Sequence, residues 1–228
     1  MNRLSVKLGY WSAVILTVIL TAGYIFGFAF TLLFVEIPQW TNLSDFVAAI
    51  QPAFLLYPTI AQVAAFLALP LLLIILFCLH EHVSGDKKIL TGIGLCFAAM
   101  MAVLGCMYYF VHFNGVRLIN AKADLAGLEQ FIIYNPDSTI MAIGILGTSF
   151  FAGLAFLFFF PVFSGRRLEQ WLRYTFLLSA ICSFTGMFAF LFDYMPLMAV
   201  YLLGQLVGSL FMAILSIIFF KELADKPF

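Results

Sequence analysis

Six long apolar runs fill most of this 228-residue chain and restrict its fold more than any other feature. A helix needs roughly 20 predominantly apolar residues to cross the hydrocarbon core of a bilayer. Five of the runs reach that length, and the remaining one is bounded by Arg173 and Asp193. The runs therefore predict six transmembrane helices. Their approximate bounds are residues 11–35, 59–79, 89–113, 139–163, 174–192 and 197–220.

The composition agrees with a membrane protein and excludes an ordinary soluble domain. Charged residues make up 10% of the chain, hydrophobic residues 64%, and the mean hydropathy is +1.11, whereas soluble domains carry about 25% charged residues. In lipid the backbone polar groups must be satisfied internally, and the alternating strands of a barrel are absent from this sequence. We therefore expect an all-α fold with a single polytopic membrane domain over residues 1–228. The lipid bilayer is the expected partner, and the net charge of zero argues against nucleic acid.

Basic residues predict the orientation of the chain. Lysine and arginine concentrate in cytoplasmic loops. With both termini in the cytoplasm, nine of the eleven basic residues are cytoplasmic, and only Arg117 and Lys122 lie outside. The expected location is the plasma membrane, which would be the inner membrane of a bacterium, with both termini inside.

The two longer outer loops carry amphipathic patterns. Apolar residues at helical spacing predict a short helix on the outer membrane surface in each loop. The first pattern contains Leu43, Phe46, Val47, Ile50 and Phe54, and the second contains Leu125, Leu128 and Ile132. The segments that follow, residues 57–61 and 134–140, resemble each other and suggest three tandem helical hairpins. Chance similarity between phenylalanine-rich helices is the competing explanation.

Glycine pairs indicate where helices approach closely. Gly23 and Gly27 in the first run, and Gly204 and Gly208 in the sixth, have the four-residue spacing that lets two helix backbones meet. The pairs would serve either packing inside the bundle or association with a second copy or a partner membrane protein. The sequence leaves both open.

No Asp, Glu, Lys or Arg lies deep within an apolar run, which argues against proton-coupled or sodium-coupled transport. Gln205 is the most informative buried polar residue, because an amide in hydrocarbon seeks a partner helix. Gln205 either joins two helices by a hydrogen bond or, with Gln62, Tyr108 and Tyr194, forms part of a ligand-binding site. The deepest polar side chains are Gln62, Thr148, Ser149, Ser179, Ser183, Gln205 and Ser209.

Two groups of residues are candidates for a metal-binding or catalytic site. His80 and His82 are weak candidates for a metal site, although two residues apart on a helix their rings point in nearly opposite directions. Glu36, His112 and Asp193 end three outward-going helices and are candidate catalytic residues for acid–base work. Interfacial boundary residues are the alternative explanation for both groups. No cofactor motif is present, and no cofactor is expected.

One hairpin resembles a known group of proteins. Residues 150–157 read FFAGLAFL, and residues 161–173 read PVFSGRRLEQWLR. This stretch resembles bacterial integral membrane proteins with about six helices and no assigned activity. The resemblance implies a six-helix membrane fold, and it carries over no functional residues.

Three functions are compatible with these sequence features. The favoured one is a non-catalytic membrane protein that binds an apolar ligand or lipid, or that serves as an accessory in a membrane complex. The second is a transporter of a small or lipophilic solute, and the third is an intramembrane enzyme built on Glu36, His112 and Asp193. The uncharged interior weakens the last two, so the protein is expected not to be an enzyme.

Overall fold

The computed structural model describes residues 3–27, 52–120, 127–133 and 137–225. These residues are helical wherever they form regular structure and include no strand, and six of the helices are long and apolar enough to cross a membrane. The prediction of an all-α protein with six spans is therefore confirmed. The first outer-loop pattern lies almost wholly outside the described residues.

The spans are longer than the apolar runs at several ends, because helices continue into the polar boundary of the bilayer. The first span begins at Arg3 rather than residue 11, and the fifth at Arg167 rather than residue 174. The elements are α1 Arg3–Ile19 with a π-helical turn Leu20–Phe26, α2 Pro52–His80, α3 Lys87–Asn120, a 3-10 turn Leu128–Phe131, α4 Thr139–Ile145 with a π-helical turn Leu146–Phe151, α5 Ala152–Phe159, α6 Arg167–Leu191 and α7 Met195–Ala224.

The spans form a closed ring. Each span packs against the next one in sequence, and α7 also packs against α1. Short turns at residues 81–86, 160–166 and 192–194 force the helices that they join to run antiparallel. At the first of these turns, Gly85 has a φ of 64°, a left-handed conformation that glycine adopts without a steric penalty.

The glycine pairs pack inside this ring. A Cβ at Gly27 would lie 2.8 Å from the backbone nitrogen of Ala61, and one at Gly23 would collide with Ala64, so α2 occupies this face of the first span. A Cβ at Gly204 would collide with Cys182 of α6, and Gly208 faces the neighbouring Ser179. The absence of side chains thus lets consecutive helices meet within one chain. Association with a partner or a second copy stays a prediction, but these faces are already occupied.

One end of the ring is densely packed and carries the described basic residues other than Arg117; we call it the basic end. Phe159, Phe176 and Phe220 are among the largest fully buried side chains there. At its surface, Lys87 Nζ donates to Val162 O at 3.0 Å and to Ser164 Oγ at 2.7 Å. Arg166 also pairs with Glu222 at 3.0 Å. These contacts fasten the turn at residues 160–166 to the start of α3 and to the end of α7.

The other end, which we call the opposite end, is organised around the start of α4. Ser138 caps this helix by accepting a hydrogen bond from Met141 N at 3.2 Å. Gln130 Oε1 accepts hydrogen bonds from Thr139 N at 3.0 Å and from Thr139 Oγ1 at 2.8 Å. Of the second outer-loop pattern, Leu128 is buried in the one-turn 3-10 helix that contacts α4, Ile132 follows that turn, and Leu125 lies outside the described residues. The surface helix stays a prediction.

Candidate ligand cavity

The π-helical turn between α4 and α5 places a hydroxyl in the bundle interior. Such turns add a residue to the helical repeat and occur often at functional sites. Within this turn, Thr148 Oγ1 donates to Gly144 O at 2.8 Å. Thr148 Oγ1 also lies 2.7 Å from the hydroxyl of Tyr201 on α7. A polar contact therefore joins the fourth and sixth spans across the apolar interior.

Glycine on α6 makes room for the tyrosine. Tyr201 is only 7% exposed, and a Cβ at Gly186 would approach its Cδ2 atom to 2.6 Å. Any larger residue at position 186 would push the aromatic ring away from Thr148. Gly186 is therefore a structural requirement for the contact between Thr148 and Tyr201.

A second polar contact joins α6 to α7 one turn further along. Gln205 Nε2 donates to Ser183 Oγ at 2.5 Å, and Ser183 Oγ donates to Ser179 O at 2.7 Å. Tyr201 and Gln205 are four residues apart and share one face of α7. We call Thr148, Ser183, Tyr201 and Gln205 the polar cluster.

Three members of the polar cluster, Thr148, Tyr201 and Gln205, line a cavity of about 400 Å³, which we call the main cavity. This volume falls within the roughly 300–1,000 Å³ of small-molecule sites, which are mostly apolar with a few placed polar groups. Its described lining contains no charged residue. The lining residues are Tyr108, Tyr109, Met141, Gly144, Ile145, Thr148, Met198, Ala199, Tyr201, Leu202, Leu203, Gln205 and Leu206.

Two further cavities adjoin the main cavity. A smaller one of about 90 Å³ shares Thr148, Tyr201 and Gln205 and extends to Leu16 of α1 and to α2. A larger one of about 630 Å³, the end cavity, shares Met141 and Met198 and includes Asp137, Asp193 and Tyr194. Adjacent cavities thus share lining residues, and together they extend from the opposite end to the middle of the bundle.

The predicted ligand-binding residues separate into three places. Gln205 and Tyr108 line the main cavity together, and Tyr108 Oη donates to Met141 Sδ at 3.6 Å. Tyr194 lines the end cavity instead. Gln62 is buried and contributes to none of the cavities described above. Sequence reasoning did not select Tyr201, although its four-residue spacing from Gln205 was a usable signal.

The structure describes two of the three predicted catalytic residues and leaves their grouping untested. Glu36 lies outside the described residues. His112 is buried and accepts a hydrogen bond from Ile133 N at 3.4 Å, so it fastens the segment after the 3-10 turn to α3. Asp193 lies in the turn before α7, has a φ of 48°, and lines the end cavity. The enzyme hypothesis therefore stays a prediction.

The two histidines proposed for a metal site have separate surroundings. His80 Nδ1 lies 2.7 Å from Thr91 Oγ1 of α3. The His82 ring packs edge-on against Phe219 and Phe220, and burial lowers the pKa of His82 below its usual value. Among the described residues, no group of three or more His, Cys, Asp or Glu side chains could hold a metal ion. The metal site stays an untested prediction.

No protein-family model, curated protein or solved structure matches this chain. Any statement about function therefore rests on the geometry of the main cavity and the residues around it.

Proposed function

We propose that this protein binds an uncharged apolar small molecule or lipid within the membrane and does not itself catalyse a reaction. The main cavity carries the proposal, because it combines a ligand-sized volume, a largely apolar lining and a few fixed polar groups. The absence of charge from its described lining favours an uncharged ligand, since an ionised group in this cavity would lack a partner. An accessory role in a membrane complex is compatible with the same binding site.

We further propose that the basic end faces the cytoplasm of the cell that carries this protein in its plasma membrane. The spans place Lys87, Arg166 and Lys221 at this end, and Arg117 lies near the opposite end, as the preference for positive cytoplasmic loops requires. Both termini would then be cytoplasmic. The two amphipathic loop patterns, within residues 36–58 and 122–132, would lie at the outer surface.

The orientation is tested with a protease-cleavable tag placed at either terminus. We expect protease added to intact, wall-free cells to leave both tags uncut, and protease added after lysis to remove them. A tag on the loop near residue 122 serves as the control that should be cut from outside. Cleavage of either terminal tag in intact cells would contradict the proposed orientation.

Binding is tested with two photoreactive long-chain probes, one with a hydroxyl head and one with a methyl ester head. The protein is reconstituted in lipid nanodiscs, irradiated and digested, and the labelled peptides are identified by mass spectrometry. We expect labels on residues 139–148 and 198–206, where the main cavity is lined. In the Leu206→Trp variant, the larger side chain fills cavity volume, and labelling should fall about tenfold or more.

The matched control is Val207→Trp, because Val207 is 45% exposed and does not line the main cavity. This variant should label as the wild type does. Met198→Trp provides a second cavity-filling variant if Leu206→Trp does not fold. Labelling by neither probe, or equal labelling in the filled and control variants, would refute the proposed binding function.

Transport is the second candidate function, and the adjoining cavities favour it. They connect the opposite end to the polar cluster, while packed side chains such as Phe159 and Phe176 close the basic end. This arrangement is what one state of a transporter with alternating access would show. Movement of the hydroxyl probe across proteoliposomes faster than across protein-free vesicles would favour transport, and equal rates would favour binding alone.

A further inference from the structure

The amide of Gln205 has a defined orientation. Ser183 has a single hydroxyl proton, and its 2.7 Å contact with Ser179 O uses it. Ser183 Oγ can therefore only accept a hydrogen bond from Gln205, which requires that Nε2 and not Oε1 faces Ser183. Gln205 Oε1 consequently points away from this contact, and within the described part of the chain no hydrogen bond reaches it.

The hydroxyl protons of Thr148 and Tyr201 are also used within the protein. Thr148 has one hydroxyl proton, and its 2.8 Å contact with Gly144 O requires that proton. The Tyr201 hydroxyl must therefore donate its own proton to Thr148 Oγ1. The two hydroxyl groups offer no donor to a ligand in the main cavity.

A residue with an unused acceptor therefore lines the main cavity. Gln205 is part of the cavity lining, and its carbonyl oxygen has lone pairs that no described residue occupies. Gln205 is half-buried among apolar side chains, where an acceptor without a partner costs free energy, so a ligand group that donates a hydrogen bond would be favoured at this position. An ether, ester or fluoride in the same place would set two acceptors against each other.

Resting on the proposed function, we propose that the ligand is an uncharged long-chain molecule whose head carries a hydroxyl or N–H group that donates a hydrogen bond to Gln205 Oε1. The apolar part of the ligand lies against the aliphatic and methionine side chains of the main cavity, including Met141, Met198 and Leu202. A charged head is disfavoured because the described lining offers no opposite charge.

The test uses two competitors of similar size, of which only the alcohol can donate a hydrogen bond. In nanodiscs, 1-dodecanol and 1-fluorododecane compete with the photoreactive hydroxyl probe for labelling of residues 198–206. After correction for partitioning into protein-free nanodiscs, we expect the alcohol to compete about tenfold better in the wild type, as one hydrogen bond made in an apolar cavity implies. In Gln205→Met, which keeps a similar volume but removes the acceptor, this preference should disappear.

Gly208→Ala is the control for a merely structural role of Gln205. The added Cβ would lie 2.5 Å from Ser179 Oγ, so this variant disturbs the packing of α7 against α6 but keeps Gln205 and Ser183, and the preference for the alcohol should persist. Equal competition by both compounds in the wild type, or loss of the preference in Gly208→Ala as well, would overturn the inferred ligand class. Either result would leave the proposed binding function standing, because that function depends on labelling of the cavity by either probe.

Discussion

Replacement of Phe176 by alanine is expected to lower the free energy of unfolding by about 3–5 kcal/mol, the range for buried phenylalanine truncations. Phe176 is fully buried on α6, and its ring centroid lies 5.4 Å from that of Phe159 and 5.6 Å from that of Phe163. Removing the ring leaves a void between α5 and α6. Because lipid is as apolar as the core, the loss comes from packing contacts.

The matched control for Phe176→Ala is Phe211→Ala, whose ring is 54% exposed on the surface of α7. Lipid fills the space that this truncation leaves, so the stability of the control should stay within about 0.5 kcal/mol of the wild type. Reversible unfolding in mixed micelles of increasing denaturing-detergent content measures both. Equal losses in the two variants would show that Phe176 is not the packed centre of the basic end.

Replacement of Gly147 by alanine is expected to destabilise the fold by about 1–3 kcal/mol, as overpacking of a filled interior does. The added Cβ would lie 2.8 Å from Leu104 Cβ and 3.1 Å from the backbone nitrogen of Gly105. Neither atom can rotate away, because one is attached directly to the backbone and the other is part of it. α3 and the π-helical turn would have to separate, and Thr148 would move with the turn.

The matched control for this substitution is Gly92→Ala, which adds the same methyl group to a helix at an open position. The nearest atom to its Cβ would be His80 Cε1 at 3.9 Å, an ordinary contact. Alanine has the higher helix propensity, so the control should be neutral or more stable by up to about 1 kcal/mol. Thermal unfolding of both variants in nanodiscs, followed by circular dichroism, decides the prediction. A Gly147→Ala variant as stable as Gly92→Ala would contradict the close approach of α3 to the turn.

The π-helical turn in the fourth span shows a local geometry that the sequence pattern does not predict. Residues 139–163 read as one uninterrupted apolar helix, yet the structure places a π-helical turn at Leu146–Phe151. Gly147, Thr148 and Ser149 are tolerated in either geometry, so the local sequence does not choose between them. The close contact of Gly147 with α3 is a tertiary feature, and it positions the turn that carries Thr148.

The candidate site was predicted in part. Gln205 attracted attention because an amide is costly in hydrocarbon, and Tyr108 because it lies near a predicted boundary; both line the main cavity. Gln62 has the same amide and lies elsewhere. The sequence could not separate the two glutamines, because their partners come from other helices: Ser183 is 22 residues away from Gln205 along the chain.

Apolar length and the placement of charge are local properties, and from them the sequence by itself determined six spans and a chain with most of its basic residues at its termini and at alternate turns. Only the tertiary structure decided that the glycine pairs pack against α2 and α6, and that Thr148, Tyr201 and Gln205 meet beside a cavity. The physical reason is that apolar helices in lipid have little hydrophobic preference among neighbours. Shape and a few hydrogen bonds therefore select the partners, and both depend on residues far apart in the chain.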